Sequence, residues 1–212
     1  MIYYSAHPGT TNPDHEKIQF FGQHGIRLMI SAAYYQRPVL SYAVDNGAWT
    51  DFCNGLPFNH QRFINTLNKV DKIKIYPDFV VLPDIVAGGL KSLELSKSYL
   101  HLCNDYHCYL PVQDGMQPKD IDNFGEIAGI FVGGTTRWKW NNVNIWSQYA
   151  HDNGMSCHVG RVGTLVNFQR CASAGVDSAD GSNLIRNGKY HNIPRYLKAT
   201  TEQKYLLEVT SE

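Results

Sequence analysis

GIFVGGTTRWKWNNVNIWSQYAHDNGMSCHVGRVGTLVNFQRCASAGVDSA, residues 129–179, alternates short apolar runs with segments of helical spacing. The apolar runs predict strands, because each is short, rich in apolar or β-branched residues, and followed by a polar or glycine-containing turn. The predicted strands are 129–133, 157–162 and 176–179, and the predicted helices between them are 141–153 and 165–175. Strands that alternate with helices pair in parallel through right-handed crossovers, so this stretch predicts an α/β fold.

The same alternation extends back to the N-terminus. Further strands are predicted at 2–6, 27–32, 39–44, 79–83 and 108–112, and further helices at 58–70 and 88–103. Eight strands within residues 2–179 fit a compact, single-domain (β/α)8 TIM-like barrel near the lower size limit of that fold. An open doubly wound sheet is the competing fold. We assign residues 1–190 to the barrel and 191–212 to a C-terminal helical tail, since 193–212 predicts a helix with a frayed end.

Composition narrows the class of protein. The 212 residues carry 19 basic and 19 acidic side chains and a formal net charge of zero, so a surface that binds nucleic acid must be a local patch. The five cysteines are odd in number and form no Cys-x-x-Cys pair, which favours reduced thiols in a cytoplasm over a disulfide framework. The N-terminus has no signal-peptide pattern, and no apolar run approaches the roughly 20 residues that span a bilayer. We therefore expect no membrane association.

Polar residues and glycines follow the predicted strands at the points where those strands end. In a barrel these ends gather at one mouth, where the loops between strands and helices carry the catalytic groups. Each residue also has an ordinary structural explanation, as a turn residue, a helix cap or part of a tight loop. Their shared position predicts a single site. The residues are Asp45, Asp84, Gln113, Gly133, Gly134 and Asp180.

Five short segments resemble motifs of the tRNA-guanine transglycosylase superfamily and occur in the order in which that family has them. VDNGAW (44–49) is similar to the family's Asp-Ser-Gly-Gly-aromatic segment, and LPDIVAGG (82–89) to its second aspartate segment. PVQDG (111–115) resembles Val-Gln-Gly-Gly, and GIFVGGT (129–135) resembles the Gly-Gly loop. GVDSADGSNLIRNGK (175–189) is similar to the Gly-Val-Asp-x-x-Asp motif that carries the family's nucleophile. Together the segments span most of the chain.

The resemblance implies an enzyme that exchanges guanine in a nucleic acid for another base. Asp180 would attack the anomeric carbon and form a covalent glycosyl-enzyme intermediate. Asp45 would contact the departing base and move its proton, and Asp84 would accept hydrogen bonds from the guanine N1–H and exocyclic amine. Two inversions at one carbon give net retention. Further base contacts are implied for Gln113 and for the N–H groups of Gly133 and Gly134, facing O6, and for Trp49, stacking on the base.

The short chain and the GVDSADG form look closest to the DpdA-like 7-deazaguanine DNA transglycosylases of phages and bacteria. That resemblance implies DNA as the polymer partner and a free 7-deazaguanine of the preQ0 type as the incoming base. It also implies no cofactor and a cytoplasmic location, in the host cytoplasm if the protein is phage-encoded. The alternatives are a tRNA-guanine transglycosylase acting on RNA, a non-catalytic barrel that binds nucleic acid or a partner subunit, and a hydrolase that uses Asp45 and Asp180 with water.

The chain departs from the larger transglycosylases in its cysteines. Those proteins hold structural zinc with a Cys-x-Cys-x-x-Cys motif and a later histidine, whereas this sequence has no cysteine after Cys171. We therefore expect neither the zinc subdomain nor a bound metal. One other cluster is compact in sequence, but a helix end that enters a strand would splay its side chains too far apart for tetrahedral ligation. Its members are His101, Cys103, His107 and Cys108.

Basic residues supply the candidate contacts to nucleic acid. The segment Arg137-Trp138-Lys139-Trp140 interleaves cations with indoles, which suits phosphates and unstacked bases, although a helix start with one buried tryptophan explains it equally well. His158 and Asp177 are candidates for lining the site, the latter by supporting the loop of Asp180. The candidate nucleic-acid contacts are Arg137, Lys139, Arg161 and Arg186, followed by a basic stretch with Lys189, Arg195 and Lys198.

Overall fold

The chain folds into a closed barrel of parallel strands in a computed structural model. The structure describes residues 1–9, 14–73 and 75–209, with side chains up to residue 201. Within these residues eight strands follow one another around the barrel in chain order, and the last strand pairs with the first. The predicted compact (β/α)8 barrel is therefore confirmed, and an open doubly wound sheet is excluded.

Strands and helices alternate along the described residues. The strands are β1 (Ile2–Ala6), β2 (Arg27–Ser31), β3 (Tyr42–Asp45), β4 (Val80–Val81), β5 (Cys108–Val112), β6 (Gly129–Val132), β7 (Ser156–Val159) and β8 (Ser178–Gly181). The α-helices are α1 (His15–Gln23), α2 (Ala48–Cys53), α3 (His60–Val70), α4 (Leu90–Lys97), α5 (Thr136–Asp152), α6 (Leu165–Ser173), α7 (Asn183–Arg186) and α8 (Asn192–Val209). Between β5 and β6 the described chain forms only a short 3-10 turn, Pro118–Asp120.

Several strand bounds differ from the prediction, and each difference has a local cause. β3 begins at Tyr42 rather than at residue 39, because Val39 is exposed and lies outside the barrel wall. β7 ends at Val159, since the backbone turns into a left-handed conformation at Arg161, with φ of 60°. β8 is shifted two residues towards the C-terminus, so that Asp180 lies within the last strand rather than after it.

Three helices were missed by the sequence pattern, and one was predicted too short. α2 and α7 contain six and four residues, which is too few for helical periodicity to be visible. α1 has nine residues and begins at His15, directly after Asp14, whose carboxylate caps the helix by accepting a hydrogen bond from the Lys17 N–H. α5 begins at Thr136 rather than at residue 141, because the Thr135 side chain caps it by accepting from the Trp138 N–H.

Aromatic rings fill the barrel below the carboxyl ends of the strands. Alternate residues of each strand point inwards, and these form a buried cluster separate from the core beneath the helices. Within it the rings of Phe79 and Tyr109 stack with centroids 4.1 Å apart, and Tyr4 meets Phe79 edge-on at 5.3 Å. The mouth is the end of the barrel formed by the carboxyl ends of the strands. The polar residues at the mouth therefore lie directly above an apolar layer.

α8 packs along the outside of the barrel. Ile193 is fully buried, and the Tyr196 ring meets Phe168 of α6 at 5.3 Å. The assignment of 191–212 to a separate tail stays a prediction, and residues 210–212 of the predicted helix lie outside the described residues. None of the helices in the described part of the chain combines the length and apolar character needed to cross a membrane.

Candidate active site

The three aspartates predicted for the site all lie at the mouth. Asp45 is the last residue of β3, Asp180 lies near the end of β8, and Asp84 follows β4 in the loop that leads to α4. This is the end of a parallel barrel at which catalytic groups gather. The fold therefore brings the three carboxylates to the same end of the barrel, as their positions at the strand ends predicted. Each carboxylate has different neighbours.

Asp180 is held by a buried histidine. The Nε2 atom of His158 lies 3.0 Å from the Asp180 Oδ1, and the Nδ1 atom lies 2.8 Å from the hydroxyl of Ser178. Because a carboxylate only accepts, Nε2 carries the hydrogen in this pair. The imidazole has no exposed surface and stacks on the Phe131 ring at 4.9 Å. His158 therefore fixes one oxygen of Asp180, while Oδ2 makes no hydrogen bond among the described residues.

Gly160 keeps space open beside this pair. A Cβ atom at this position would come within 2.8 Å of the Phe131 ring and 3.4 Å of the Asp180 Oδ1. A side chain here would push the ring that supports His158 or crowd the carboxylate. A glycine next to the end of β7 is thus a steric requirement of the site.

Asp45 is a carboxyl group with an unusually high proton affinity. Its Oδ2 accepts from the Ser31 hydroxyl at 3.0 Å and from the Gly47 N–H at 3.1 Å. Burial, together with the negative charges of Asp180 and Asp84, raises the pKa of Asp45 to about 7, against the lowering effect of these two hydrogen bonds. Near neutral pH this group is divided between its acid and base forms, which suits a group that gives and takes a proton.

Asp84 is half-buried and better supported by hydrogen bonds than Asp45. The Asn46 amide donates to Oδ1 at 2.8 Å, and the Gln113 amide approaches Oδ2 at 3.3 Å. Burial raises the pKa of Asp84 to about 6, while both amides act to lower it. At neutral pH the charged, accepting form predominates, in contrast to Asp45.

Gln113 does not face the mouth as a free amide, which corrects the role predicted for it. Its Oε1 accepts from the Ala87 N–H at 2.6 Å, and its Nε2 donates to the Ile85 carbonyl at 2.8 Å and to the Ser92 hydroxyl at 2.7 Å. The side chain is 2% exposed, so these bonds leave no capacity for a base. Gln113 instead shapes the loop after β4 and supports Asp84.

Only part of the Gly133-Gly134 segment is available to contact a base. The Gly133 N–H donates to the Val112 carbonyl at 2.9 Å and extends the pairing of β6 with β5, so it cannot contact a base as predicted. Gly134 has φ of 72°, and a Cβ there would lie 2.6 Å from the Asp114 carboxylate. That carboxylate in turn binds the backbone N–H and hydroxyl of Thr135. Of the two glycines, Gly134 is the one at the open edge of the mouth.

Arg161 bridges two loops over the mouth. Its guanidinium donates to the Gly134 carbonyl and lies 4.4 Å from the centre of the Trp49 ring. Trp49 is 46% exposed and also borders Phe52, with ring centroids 5.8 Å apart. The backbone at Arg161 is left-handed, with φ of 60°, and the side chain extends to Gly134 and Trp49. One face of Trp49 is therefore already covered by a cation.

Lys139 is not a surface cation, which corrects its assignment as a nucleic-acid contact. It lies on the inward face of α5 together with Val143 and Trp146, is 2% exposed, and donates to the carbonyl of Gly160. Burial, together with the positive charge of Arg161, lowers the pKa of Lys139 to about 8. Lys139 thus supports the backbone beside Asp180 from behind.

Asp177 lies away from the mouth, which corrects its assignment as a site-lining residue. It precedes β8, and its carboxylate binds the His151 imidazole at 2.9 Å and the Cys157 N–H at 2.8 Å. Both partners lie at the amino end of the barrel, since Cys157 is near the start of β7. Three residues of extended strand separate Asp177 from Asp180, about 10 Å. Arg137 and Arg186 are exposed, on α5 and α7.

Four polar residues of the site were not singled out from the sequence. Ser178 could have been found, because it lies two residues before Asp180 and therefore on the same face of the strand. Ser31 ends β2 as Asp45 ends β3, and Asn46 adjoins Asp45. His7 follows β1 at the same end, and its buried Nε2 has no hydrogen-bond partner among the described residues.

The described residues contain no group of three or more His, Cys, Asp or Glu side chains placed to hold a metal ion. Cys103 belongs to a 3-10 turn, whereas Cys108 is the buried first residue of β5. The cluster at 101–108 thus spans a turn and a strand.

The fold and the position of the carboxylates define this protein as a (β/α)8 barrel with a polar, largely buried site at the mouth. No protein-family model matches the sequence, and no curated protein matches it significantly. Any assignment of function therefore depends on the chemistry of the site.

Proposed function

We propose that the protein is a base-exchange transglycosylase, a pentosyltransferase that replaces guanine in DNA with a 7-deazaguanine of the preQ0 type. The observation that carries the proposal is the contrast between two carboxylates at one mouth. Asp180 has an oxygen held by the His158 N–H, whereas burial raises the pKa of Asp45 to about 7. Double displacement at a glycosidic carbon needs such a pair, one ionised and one able to carry a proton.

In the first half of the reaction, Asp180 attacks the sugar C1′ as the C1′–N9 bond breaks. The bonding electrons leave with guanine, and the Asp45 proton neutralises the departing base. The product is a glycosyl ester on Asp180. His158 supports this step by holding Oδ1, so that Oδ2 presents its lone pairs to the carbon.

In the second half, N9 of the incoming base attacks the same carbon from the opposite side. The ester bond breaks, Asp180 is released as a carboxylate, and Asp45 takes the proton that the incoming N9–H loses. Two inversions restore the original configuration. No cofactor is needed, because the number of glycosidic bonds does not change.

Base recognition is assigned to Asp84, Gly134 and Trp49. The carboxylate of Asp84 suits the N1–H and exocyclic amine that guanine and preQ0 share, since charge-assisted bonds in a buried site discriminate strongly. A 7-deaza base has carbon in place of N7 and cannot be protonated there to assist departure. The exchange therefore acquires a direction without an energy source.

Incubation with radiolabelled guanine or preQ0 and either DNA or tRNA tests the proposal. Label that enters DNA supports it, and label that enters only tRNA moves the protein to the RNA-modifying alternative while leaving the aspartate roles intact. Release of free guanine without incorporation would identify a hydrolase that uses Asp45 and Asp180 with water. Binding of nucleic acid with neither reaction would identify a non-catalytic barrel.

A further inference from the structure

Outside the mouth, a groove between α5 and α6 has a volume of about 780 Å³. The α5–α6 groove is defined here by Arg137, Trp140, Asn141, Asn144, Gln169 and Arg170. No aspartate or glutamate lines it, although the chain as a whole has as many acidic as basic residues. The groove is therefore a local positive surface on a neutral protein.

Its composition suits one kind of ligand. Arg137 and Arg170 are exposed, and the guanidinium of Arg170 lies 5.6 Å from the centre of the Trp140 ring. Arginine beside an indole is the combination that binds a phosphate and borders an unstacked base. The amides of Asn141, Asn144 and Gln169 add paired donors and acceptors of the kind that base edges present.

One end of the groove lies close to the mouth along the chain. α5 begins at Thr136, which lines the groove and lies two residues after Gly134 at the edge of the mouth. From Thr136 to Asn144 the groove follows the helix for eight residues, roughly 12 Å at 1.5 Å per residue. A strand whose target nucleotide enters the mouth can thus continue down the outside of the barrel.

A protein partner fits this surface less well. Protein interfaces centre on apolar and aromatic anchors with few charged groups, whereas the exposed residues that line this groove are polar or charged except for Val166, which is 56% exposed. The exposed apolar side chains that lie close together in sequence, Trp49, Phe52 and Leu56, follow β3 and are outside this groove.

We propose that the α5–α6 groove binds the single-stranded segment next to the target nucleotide, with Arg137 and Arg170 on successive phosphates and Trp140 against a base. The proposal rests on the proposed function in placing the target nucleotide in the mouth. The second cation of this surface is Arg170 and not Lys139, because Lys139 is buried.

Fluorescence anisotropy with a labelled 12-nucleotide single strand, made as DNA and as RNA, tests the groove without reference to activity. The double variant Arg137→Gln/Arg170→Gln should bind about tenfold more weakly at low salt. The slope of log affinity against log salt should fall by about 1.4, since each phosphate contact to a single strand contributes about 0.7. Arg37→Gln/Lys119→Gln removes two exposed charges outside the groove and should leave both quantities unchanged. Thermal unfolding of each variant verifies that it is folded.

The results separate this inference from the proposed function. Weaker binding in the groove variant alone supports the groove even if the wild type exchanges no base, and equal effects on DNA and RNA mean that the backbone charge is recognised. If the wild type exchanges base but binds the strand with the same affinity and salt slope as the groove variant, the proposed role of the groove is refuted and the proposed function is not. A wild type that binds neither strand, or a control pair that loses as much affinity as the groove pair, also overturns it.

Discussion

The mouth of the barrel and the α5–α6 groove treat charge in opposite ways. At the mouth, Asp45 and Asp84 are half-buried and accept hydrogen bonds from neighbouring side chains and backbone, and desolvation raises both pKa values. In the groove, Arg137 and Arg170 stand in solvent. Buried charges interact strongly and are little screened, whereas exposed charges act over a distance that salt shortens. The mouth is thus suited to chemistry and the groove to attraction.

Loss of Asp180 should have the largest effect. We expect Asp180→Ala and Asp180→Asn to lower base exchange by roughly 10⁴-fold or more, because the covalent intermediate cannot form. The adduct should also disappear from intact mass spectra of protein mixed with substrate. Oligonucleotide affinity should stay at the wild-type value, since Asp180 lies outside the groove. Substantial exchange by Asp180→Ala would mean that another group is the nucleophile.

Loss of Asp84 should have the next largest effect on base exchange. Asp84→Ala removes two charge-assisted hydrogen bonds to the base, and we expect kcat/KM for guanine to fall by about 10³-fold. Steady-state kinetics at 50 and 300 mM salt would show whether the loss is independent of salt, as a buried interaction requires. A loss that shrinks at high salt would place Asp84 with the groove residues rather than with the mouth.

His158 offers a matched pair of variants that tests positioning. His158→Phe fills the space without a donor, and we expect kcat to fall by about 100-fold, because Asp180 is no longer oriented. His158→Gln keeps an N–H near the Nε2 position and should recover much of that loss. KM should change little in either variant. Equal activities for the Phe and Gln variants would show that the hydrogen bond to Asp180 has no role in the reaction.

The smallest expected effect is on stability. The free energy of unfolding should depend on pH because Asp45 titrates differently in the folded and the unfolded chain. Its pKa is raised from 3.8 to about 7 on folding, so the folded protein binds the proton more tightly than the unfolded chain. This contribution is fully present below about pH 4 and is lost as the pH rises through 7. We therefore expect Asp45→Asn to stabilise the protein at pH 8 and to change little at pH 4, in urea unfolding at both values. A variant that is less stable than wild type at pH 8 would mean that Asp45 is not strained by burial.

Exchange should depend on the same proton. The acid form of Asp45 is lost as the pH rises through about 7, so kcat for the first half-reaction should decline above that pH. Single-turnover rates of base release from pH 5 to 9 would measure the decline. In Asp45→Asn the rate should be low and nearly flat, whereas an unchanged decline would assign the proton to another group.

The sequence by itself determined an α/β fold with eight strands and the place of its carboxylates at the strand ends, while the choice between a closed barrel and an open doubly wound sheet needed the tertiary structure. The apolar runs recur with a strand-like length, and the residues that follow them must meet at one end of a parallel barrel, so Asp45, Asp84 and Asp180 were predictable. Ser178 was within reach of the same reasoning, since strand side chains alternate between faces. These features depend on local periodicity, which a sequence displays directly.

Only the tertiary structure decided which groups the predicted residues meet. Lys139 belongs to a basic segment, but the face of α5 that packs inwards carries it under Gly160. His158 contacts Asp180 from a neighbouring strand, and the Gln113 amide donates a hydrogen bond to the loop after β4. Burial, hydrogen bonding and the pKa of Asp45 depend on residues distant in sequence and close in space, and no local pattern contains that information.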